Sequence, residues 1–190
     1  MARWDPGAEQ RLRKAALELY AAHGYDAVTV NQIAEHAGLT RRSYFRYFPD
    51  KREVLFAGSE RLPEAVLEAI RAVDPAVGPW PAVLQAAAAV GELLVELAED
   101  TGVRRAVIAA SPELQERERT KMASVTAALR DGLEERGLSP EDAALVAQVG
   151  SVVFQNAFSR WIDGNGQRTF QSCLDAVSGS LGGELFQLDD

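Results

Sequence analysis

Capping residues, glycines and prolines divide this chain into segments whose apolar residues repeat with a helical period. In the first segment Leu12, Ala16 and Tyr20 share one helix face. No stretch sustains the alternation of β-branched residues that a half-buried strand shows, and Ala, Leu, Glu and Arg, which favour helices, are abundant. The sequence therefore predicts an all-α fold of about nine helices.

The first 50 residues contain three of these helices. Asp5-Pro6 is a start signal and Gly24 a stop signal for the first helix. Residues 29–32, Thr-Val-Asn-Gln, form a capping box for a short second helix that ends at Gly38, and Thr40 can cap a third. We therefore expect a three-helix N-terminal domain over residues 1–50.

The remaining residues, 51–190, are expected to form a helical bundle. An Asp-x-x-Glu pattern at Asp50 predicts a fourth helix that runs to Ile70, with Pro63 bending or ending it. Further helices are expected over residues 81–100, 103–110, 111–137, 139–164 and 169–181. Asn165-Gly166 is expected to form a turn, and the last helix is expected to end at about Leu181, followed by glycines 182 and 183 and an acidic tail.

The second and third helices are joined by residues 37–40, Ala-Gly-Leu-Thr, which is typical of a helix-turn-helix. Tyr44 and Phe48, four residues apart, are expected to be core. The opposite face of the third helix would expose an aromatic ring among three arginines: Arg41, Arg42, Phe45 and Arg46. Arginine can pair with guanine and an aromatic ring can contact a thymine methyl, so this face fits a major groove.

Contacts to the phosphate backbone are expected around that face. Lys51 would sit at a helix start that attracts phosphate. Hydroxyl or amide contacts are expected from Ser43, Tyr47, Thr29, Thr40 and Asn31. Residues 1–56 carry nine Lys/Arg and seven Asp/Glu, a net charge of +2, whereas the remainder carries 11 and 21, a net charge of −10.

Residues 29–51, TVNQIAEHAGLTRRSYFRYFPDK, resemble the DNA-binding signature of the TetR family of regulators. The resemblance implies phosphate contacts from Thr29, Ser43, Tyr47 and Lys51. It implies base contacts from Arg41, Arg42 and Phe45, and possible ones from Asn31. That family usually has tyrosine where this chain has Phe45, so any hydroxyl contact there is lost.

The eighth helix is apolar around most of its circumference, and the ninth has an apolar stripe. Two such helices from each chain could form a symmetric four-helix interface. The predicted dimer contacts are Val153, Ala157, Phe170, Leu174, Val177 and Leu181. The alternative is that these helices complete a monomeric core. The charged run 113–119 is interpreted as a solvated face with internal ion pairs.

TetR-like proteins enclose a ligand in the helical body, and the resemblance implies a small apolar ligand here. The candidate lining residues are Trp80, Leu84, Val107, Phe154, Phe158 and Trp161. The alternative is that these side chains are ordinary packed core.

Composition limits the other classes of function. The single cysteine excludes an internal disulfide and, with only two histidines, no metal site or cofactor is expected. No apolar run is long enough for a membrane span and no secretion signal is seen, so a cytoplasmic protein is expected. We expect a homodimeric repressor released from a palindromic operator by a ligand, and no enzyme. An all-helical enzyme or carrier, and a regulator controlled by a protein partner, remain the alternatives.

Overall fold

The computed structural model describes residues 7–96, 100–164 and 167–185. These residues form nine α-helices and two 3₁₀ turns with no strand among them, which confirms the all-α prediction. The α-helices are α1 (Ala8–His23), α2 (Val30–His36), α3 (Arg41–Tyr47), α4 (Leu62–Ala72), α5 (Pro79–Glu96), α6 (Thr101–Ala109), α7 (Pro112–Glu135), α8 (Pro140–Asp163) and α9 (Phe170–Leu185). The 3₁₀ turns are Glu53–Leu55 and Ser59–Arg61. Within this described part of the chain, no helix combines the length and apolarity needed to cross a membrane.

The predicted helix caps of the N-terminal domain are confirmed. The Thr29 hydroxyl accepts from the Gln32 backbone N–H at 3.3 Å while the Gln32 side chain accepts from the Thr29 N–H at 2.8 Å, which completes the capping box. The Thr40 hydroxyl accepts from the Ser43 N–H at 3.1 Å and caps α3. Between the two helices Gly38 has a φ of 68°, a left-handed conformation that favours glycine. The predicted start at Asp5-Pro6 lies outside the described residues.

The predicted fourth helix is wrong over its first half. Asp50 does cap, because its Oδ1 accepts from the backbone N–H groups of Arg52 and Glu53, but only a 3₁₀ turn follows. Gly58, with a φ of 81°, interrupts the chain before α4 begins. Pro63 lies in the first turn of α4, where its missing N–H costs nothing, so it marks a helix start and not a bend.

Other helix limits differ less from the prediction. α5 begins at Pro79 and α9 continues to Leu185, so glycines 182 and 183 do not end the last helix. Glycine is only about 1 kcal/mol less favourable than alanine in a helix, which is too little to end one by itself. The predicted turn at residues 165–166 and the predicted end of the fifth helix at residues 97–100 lie wholly or mainly outside the described residues.

The chain divides into two compact units. The first joins the residues up to Glu60 with Asp100–Lys121, and it packs α1, α2, α3, α6 and the start of α7 around one core. Its largest buried side chains include Leu12, Tyr20, Ile33, Tyr44, Phe56 and Leu114. The functional boundary at residue 50 stays a prediction, because compactness groups α6 and the first turns of α7 with the N-terminal helices.

The second unit contains α4, α5, most of α7, α8 and α9. One apolar cluster joins α4, α5, α7 and α8, and a second joins α8 with α9. Gly150 lets α8 approach α5 closely, since a Cβ at that position would lie 2.6 Å from Val83 Cγ1. Together α8 and α9 supply five fully buried side chains to the second cluster.

Candidate nucleic-acid interface

Helices α2 and α3 form the predicted helix-turn-helix in the first unit. Ile33 and Ala34 of α2 are 0% and 1% exposed, and the Leu39 N–H donates to the Ala34 carbonyl at 2.8 Å to close the turn. Tyr44 and Phe48 are 0% and 3% exposed, which confirms their predicted place in the core. One face of α3 is thereby fixed inward and the other outward.

The outward face of α3 carries the side chains that the sequence places there. Arg41, Arg42, Phe45 and Arg46 are all exposed. Phe45 keeps 44% of its surface in water, a high value for a phenylalanine. A basic, aromatic ridge on a helix of this diameter has the shape and hydrogen-bonding groups that a major groove accepts.

Two of the three arginines are supported by aromatic rings. The guanidinium carbon of Arg41 lies 5.4 Å from the centre of the Phe45 ring, and that of Arg46 lies 5.0 Å from the centre of the Tyr47 ring. Arg46 also donates to the Tyr47 hydroxyl at 3.1 Å. Arg42 has no such partner within the described part of the chain. The ridge thus combines two held guanidinium groups with one free to adapt.

The predicted hydroxyl contacts are partly engaged in capping. Thr29 donates its one hydroxyl proton to Gln32 Oε1 at 2.8 Å. The hydroxyl oxygens of Thr40 and Ser43 lie 3.0 Å apart, so one hydroxyl donates to the other. The proton of the accepting hydroxyl is then free to donate outward. Asn31 is exposed at the start of α2 and Tyr47 is half-buried at the end of α3. These residues border the ridge, and their phosphate contacts remain predictions.

Lys51 differs from the prediction because no α-helix begins there and its ammonium group is used inside the protein. Its Nζ donates to the carbonyls of Tyr25 and Val28 at 2.8 and 3.1 Å, and it lies 3.9 Å from the centre of the Tyr25 ring. The side chain therefore anchors the loop before α2. Two of the three N–H donors of Lys51 are thus used by carbonyls of the protein, and its phosphate contact stays a prediction.

Sequence reasoning missed a set of ion pairs behind the helix-turn-helix. Arg117 of α7 binds Glu53 through two hydrogen bonds, and Glu113 lies beside Arg52. The run 113–119 is therefore only in part a solvated face with internal pairs. The sequence does show opposite charges at positions 52 and 53, and opposite charges four residues apart at positions 113 and 117. This pattern does not reveal which of these residues pair with each other.

The predicted ligand-lining residues are brought together with one exception. Trp80, Leu84, Phe154, Phe158 and Trp161 all pack around the α8–α9 cluster, whereas Val107 lies in the core of the first unit. The rings of Phe158 and Trp161 are stacked with centres 5.5 Å apart, and those of Phe154 and Phe158 with centres 6.1 Å apart. Val107 is therefore removed from the set, because its side chain packs among the N-terminal helices.

The predicted dimer contacts lie mostly in the core of the chain itself. Val153, Ala157, Phe170 and Leu174 are between 0% and 2% exposed, so the prediction that they meet a second chain is wrong. A side chain with no exposed surface has none to offer a partner. Val177 and Leu181 are half-buried and pack against the same cluster.

The described residues contain no group of three or more His, Cys, Asp or Glu side chains arranged to hold a metal ion. Cys173 is 1% exposed and packs in the α8–α9 cluster as a small apolar side chain.

Residues 12–57 match the family model described as bacterial regulatory proteins, tetR family. The HTH-type transcriptional regulator TcmR of Streptomyces glaucescens is 40% identical over 79 residues, an alignment that covers 37% of this chain and 34% of TcmR. The regulator MftR of Mycobacterium tuberculosis is 49% identical over 39 residues, covering 20% of each chain. The chain thus spans about a third or less of the length of these relatives.

The whole fold resembles two solved regulators. FadR from Bacillus subtilis, in complex with stearoyl-CoA, matches with a TM-score of 0.59 and 18% identity over 90% of this chain and 96% of FadR. NalD, the secondary repressor of the MexAB-OprM multidrug efflux pump in Pseudomonas aeruginosa, matches with a TM-score of 0.61 and 15% identity over 92% and 94%. Residues 12–57 of this chain therefore match the model of bacterial regulatory proteins, tetR family, and the solved structures show that the chain shares their all-helical fold.

Proposed function

We propose that this protein is a DNA-binding transcriptional repressor that reads a palindromic operator. The observation that carries the proposal is the outward face of α3, where three arginines and Phe45 stand exposed while Tyr44 and Phe48 are buried on the other side. In an isolated protein such a face is unfavourable, because it exposes apolar surface and places like charges close together. In a major groove the same arginines can form hydrogen bonds with guanine.

Phosphate contacts would fix the register of α3 in the groove. The support for them is the ring of exposed or half-buried polar groups around the ridge, with one free hydroxyl proton between Thr40 and Ser43. Thr29 and Asn31 open α2, which would cross the backbone in a helix-turn-helix complex. A regulator of chromosomal DNA works beside that DNA, so the proposal includes a cytoplasmic location.

A homodimer would supply the second reading head, because one small domain makes few phosphate contacts and a palindrome has two half-sites. The supporting feature is the outer face of α8. Leu145 and Val152 are 62% and 57% exposed there, and Val149 and Asn156 lie on the same stripe. Positions 145, 149, 152 and 156 follow the spacing of helix–helix seams, so a second copy of α8 can pack along them.

A small apolar ligand would act on the second unit. Five predicted lining residues pack together there around the α8–α9 cluster, and the structurally similar FadR binds stearoyl-CoA. Trp80 and Trp161 are both half-buried in this group, so their fluorescence would report occupancy. We expect long-chain acyl-CoA or flat apolar compounds to change this fluorescence and to lower the affinity for DNA.

Selection of duplexes from a random pool by the purified protein tests the central proposal. A palindromic consensus with half-site centres about one helical turn apart is expected. Failure to enrich any sequence at moderate salt would exclude the DNA-reading function, and enrichment of a single half-site would exclude the symmetric dimer.

A further inference from the structure

The segment from Asp50 to Glu53, directly after the recognition helix α3, connects the parts of the N-terminal domain. The Tyr44 hydroxyl of α3 donates to the Asp50 carbonyl at 3.1 Å, and the Tyr20 hydroxyl of α1 donates to the Lys51 carbonyl at 2.8 Å. Burial raises the pKa of both tyrosines, so both hydroxyls keep their protons. Any group that holds this segment therefore also holds the buried side of α3.

The first turns of α7 hold this segment through two ion pairs. Arg117 Nε and Nη2 donate to the two carboxylate oxygens of Glu53 at 2.6 and 2.9 Å, and both side chains are only 24% exposed. Beside this pair, Arg52 Nε lies 3.4 Å from Glu113 Oε1. Arg52 and Glu53 are opposite in charge, and so are their partners Glu113 and Arg117. A shift of the segment along α7 would therefore bring like charges together, so both pairs form at the same time in one alignment of the segment with α7.

Glu113 also reaches the other end of the helix-turn-helix. Its Oε1 accepts from the Tyr25 hydroxyl at 3.1 Å. Tyr25 precedes α2 and Arg52 follows α3, so one carboxylate contacts the residues that flank both helices. Burial, followed by this hydrogen bond, raises the pKa of Tyr25 and keeps its hydroxyl a donor.

Side chains of α6 and α7 also hold the residues that follow Glu53. Arg104 of α6 donates to the Leu55 carbonyl at 2.7 Å, and its guanidinium lies 5.1 Å from the centre of the Phe56 ring. Arg117 and Lys121 lie 4.9 and 6.0 Å from the same ring, which is 2% exposed. Cations so poorly hydrated are stabilised by the ring and by Glu53 and Glu118, so their positions are closely determined.

We propose that Glu113 and Arg117 are positioning residues for DNA reading: their pairs with Arg52 and Glu53, together with the Tyr25 contact, fix the helix-turn-helix from behind without touching DNA. The inference rests on the proposed function. It extends that function by assigning a part of α7 to the accuracy with which α3 meets a base sequence, since small errors in the angle of a recognition helix break direct contacts with base edges.

Charge exchange tests the proposal. The probes are the duplex that the unaltered protein selects from a random pool and a random duplex of equal length. Arg117→Glu and Glu53→Arg are each expected to reduce the ratio of selected to random affinity about tenfold, because each leaves a poorly exposed charge facing a like charge. The double variant re-forms the pair in reverse and is expected to return to within about threefold of the unaltered ratio.

The neighbouring pair Glu116–Arg119 is the matched control. Both side chains are largely exposed, at 69% and 64%, and they pair within α7. Arg119→Glu and Glu116→Arg impose the same changes in net charge within two residues of Arg117 along α7. They are expected to shift the two affinities by the same factor and to leave their ratio unchanged.

The proposal would be overturned if the single variants at 53 and 117 had the same ratio of selected to random affinity as the Arg119→Glu control. It would also be overturned if the ratio of the double variant were no higher than that of the worse single variant. Glu113→Gln, which keeps an acceptor for Tyr25, serves if the charge reversals prevent folding, and a loss of ratio is again expected. If the unaltered protein enriches no sequence, the DNA-reading function fails separately. Amide hydrogen exchange of residues 44–53 then decides: faster exchange in Arg117→Glu than in Arg119→Glu supports the positioning role of Arg117, and equal exchange refutes it.

Discussion

Arg42 differs from its neighbours on α3 in what surrounds its guanidinium group. Arg41 and Arg46 rest against the rings of Phe45 and Tyr47, whereas Arg42 has no partner in the described structure. Side chains already ordered by a ring lose less entropy when they bind. We therefore expect Arg41 and Arg46 to keep one arrangement on every duplex, and Arg42 to adopt its bound position only where a suitable base is present.

Arg42→Ala is expected to weaken binding to the selected duplex by about 1–3 kcal/mol and to relax the preference at one base position. The melting temperature of the free protein should not change, because the exposed side chain makes no hydrogen bond, ion pair or ring contact with the described residues. Competition binding against duplexes mutated one position at a time measures both effects. An equal loss on selected and random duplexes would show that Arg42 contacts phosphate and not a base.

Lys51→Met removes the ammonium group and keeps most of the aliphatic stem. Two carbonyls, of Tyr25 and Val28, lose their charged donor, so unfolding free energy is expected to fall by about 1–3 kcal/mol. The slope of log affinity against log salt should stay the same, since carbonyls of the protein already hold this charge. Lys14→Met, at a side chain 73% exposed, is the control for stability. A slope reduced by about 1 would instead place the Lys51 ammonium group on phosphate.

At the scale of elements, local signals predict helix starts well. Thr29, Thr40 and Ser139 all cap the helices expected from their sequence patterns, because a cap involves residues two or three positions apart. Asp50 shows the limit of such signals: its cap bonds are present, but the helix they should start is a single 3₁₀ turn. The side-chain partners of Lys51, Glu53 and Arg117 lie 23 to 64 residues away, and no local pattern identifies them.

The end of α4 depends on a residue of another helix. Arg136, just after α7, donates from Nη1 to the Val73 carbonyl at 2.8 Å and from Nη2 to the carbonyls of Asp74 and Val77 at 2.9 Å each. The last carbonyls of a helix have no partner within it, so this guanidinium replaces the missing donors and also shapes the loop before α5.

Arg136→Leu is expected to reduce the unfolding free energy by about 1–3 kcal/mol, because part-buried carbonyls would lose a charged donor. Urea unfolding followed by circular dichroism measures the change. Arg130→Leu is the matched control: its side chain is 44% exposed, its ion pairs with described residues are to acids on its own helix, and we expect an effect below about 1 kcal/mol. Similar losses in both variants would rule out a capping role for Arg136.

At the scale of the whole molecule, the sequence indicates which helices are largely apolar better than it indicates which of their faces are buried. α8 has apolar residues around most of its circumference, so periodicity alone does not separate the side that meets α5 and α9 from the side left exposed. The structure assigns Val153 and Ala157 to the inner side and Leu145 and Val152 to the outer side. Adjacent valines, 152 and 153, therefore have opposite environments.

Val152→Arg is expected to produce monomers in sedimentation equilibrium while the helical content and thermal stability of the monomer are retained. Val153→Arg, at 2% exposure, should instead destabilise the fold, since an unpaired charge would be buried among apolar side chains. Val103→Arg, at an exposed valine of α6, is the control for adding a surface charge and should leave the dimer intact. Dimers that persist in Val152→Arg would move the interface away from α8.

The unsupported guanidinium at position 42 has an evolutionary consequence. If the proposed function holds, a residue that contributes to recognition and makes no bond within the described part of the protein can change at little cost to folding, so drift at this one codon would retarget a duplicated regulator to a new promoter. The neighbouring positions, tied to aromatic rings, would resist such change, and divergence in sequence preference among descendants should begin at 42.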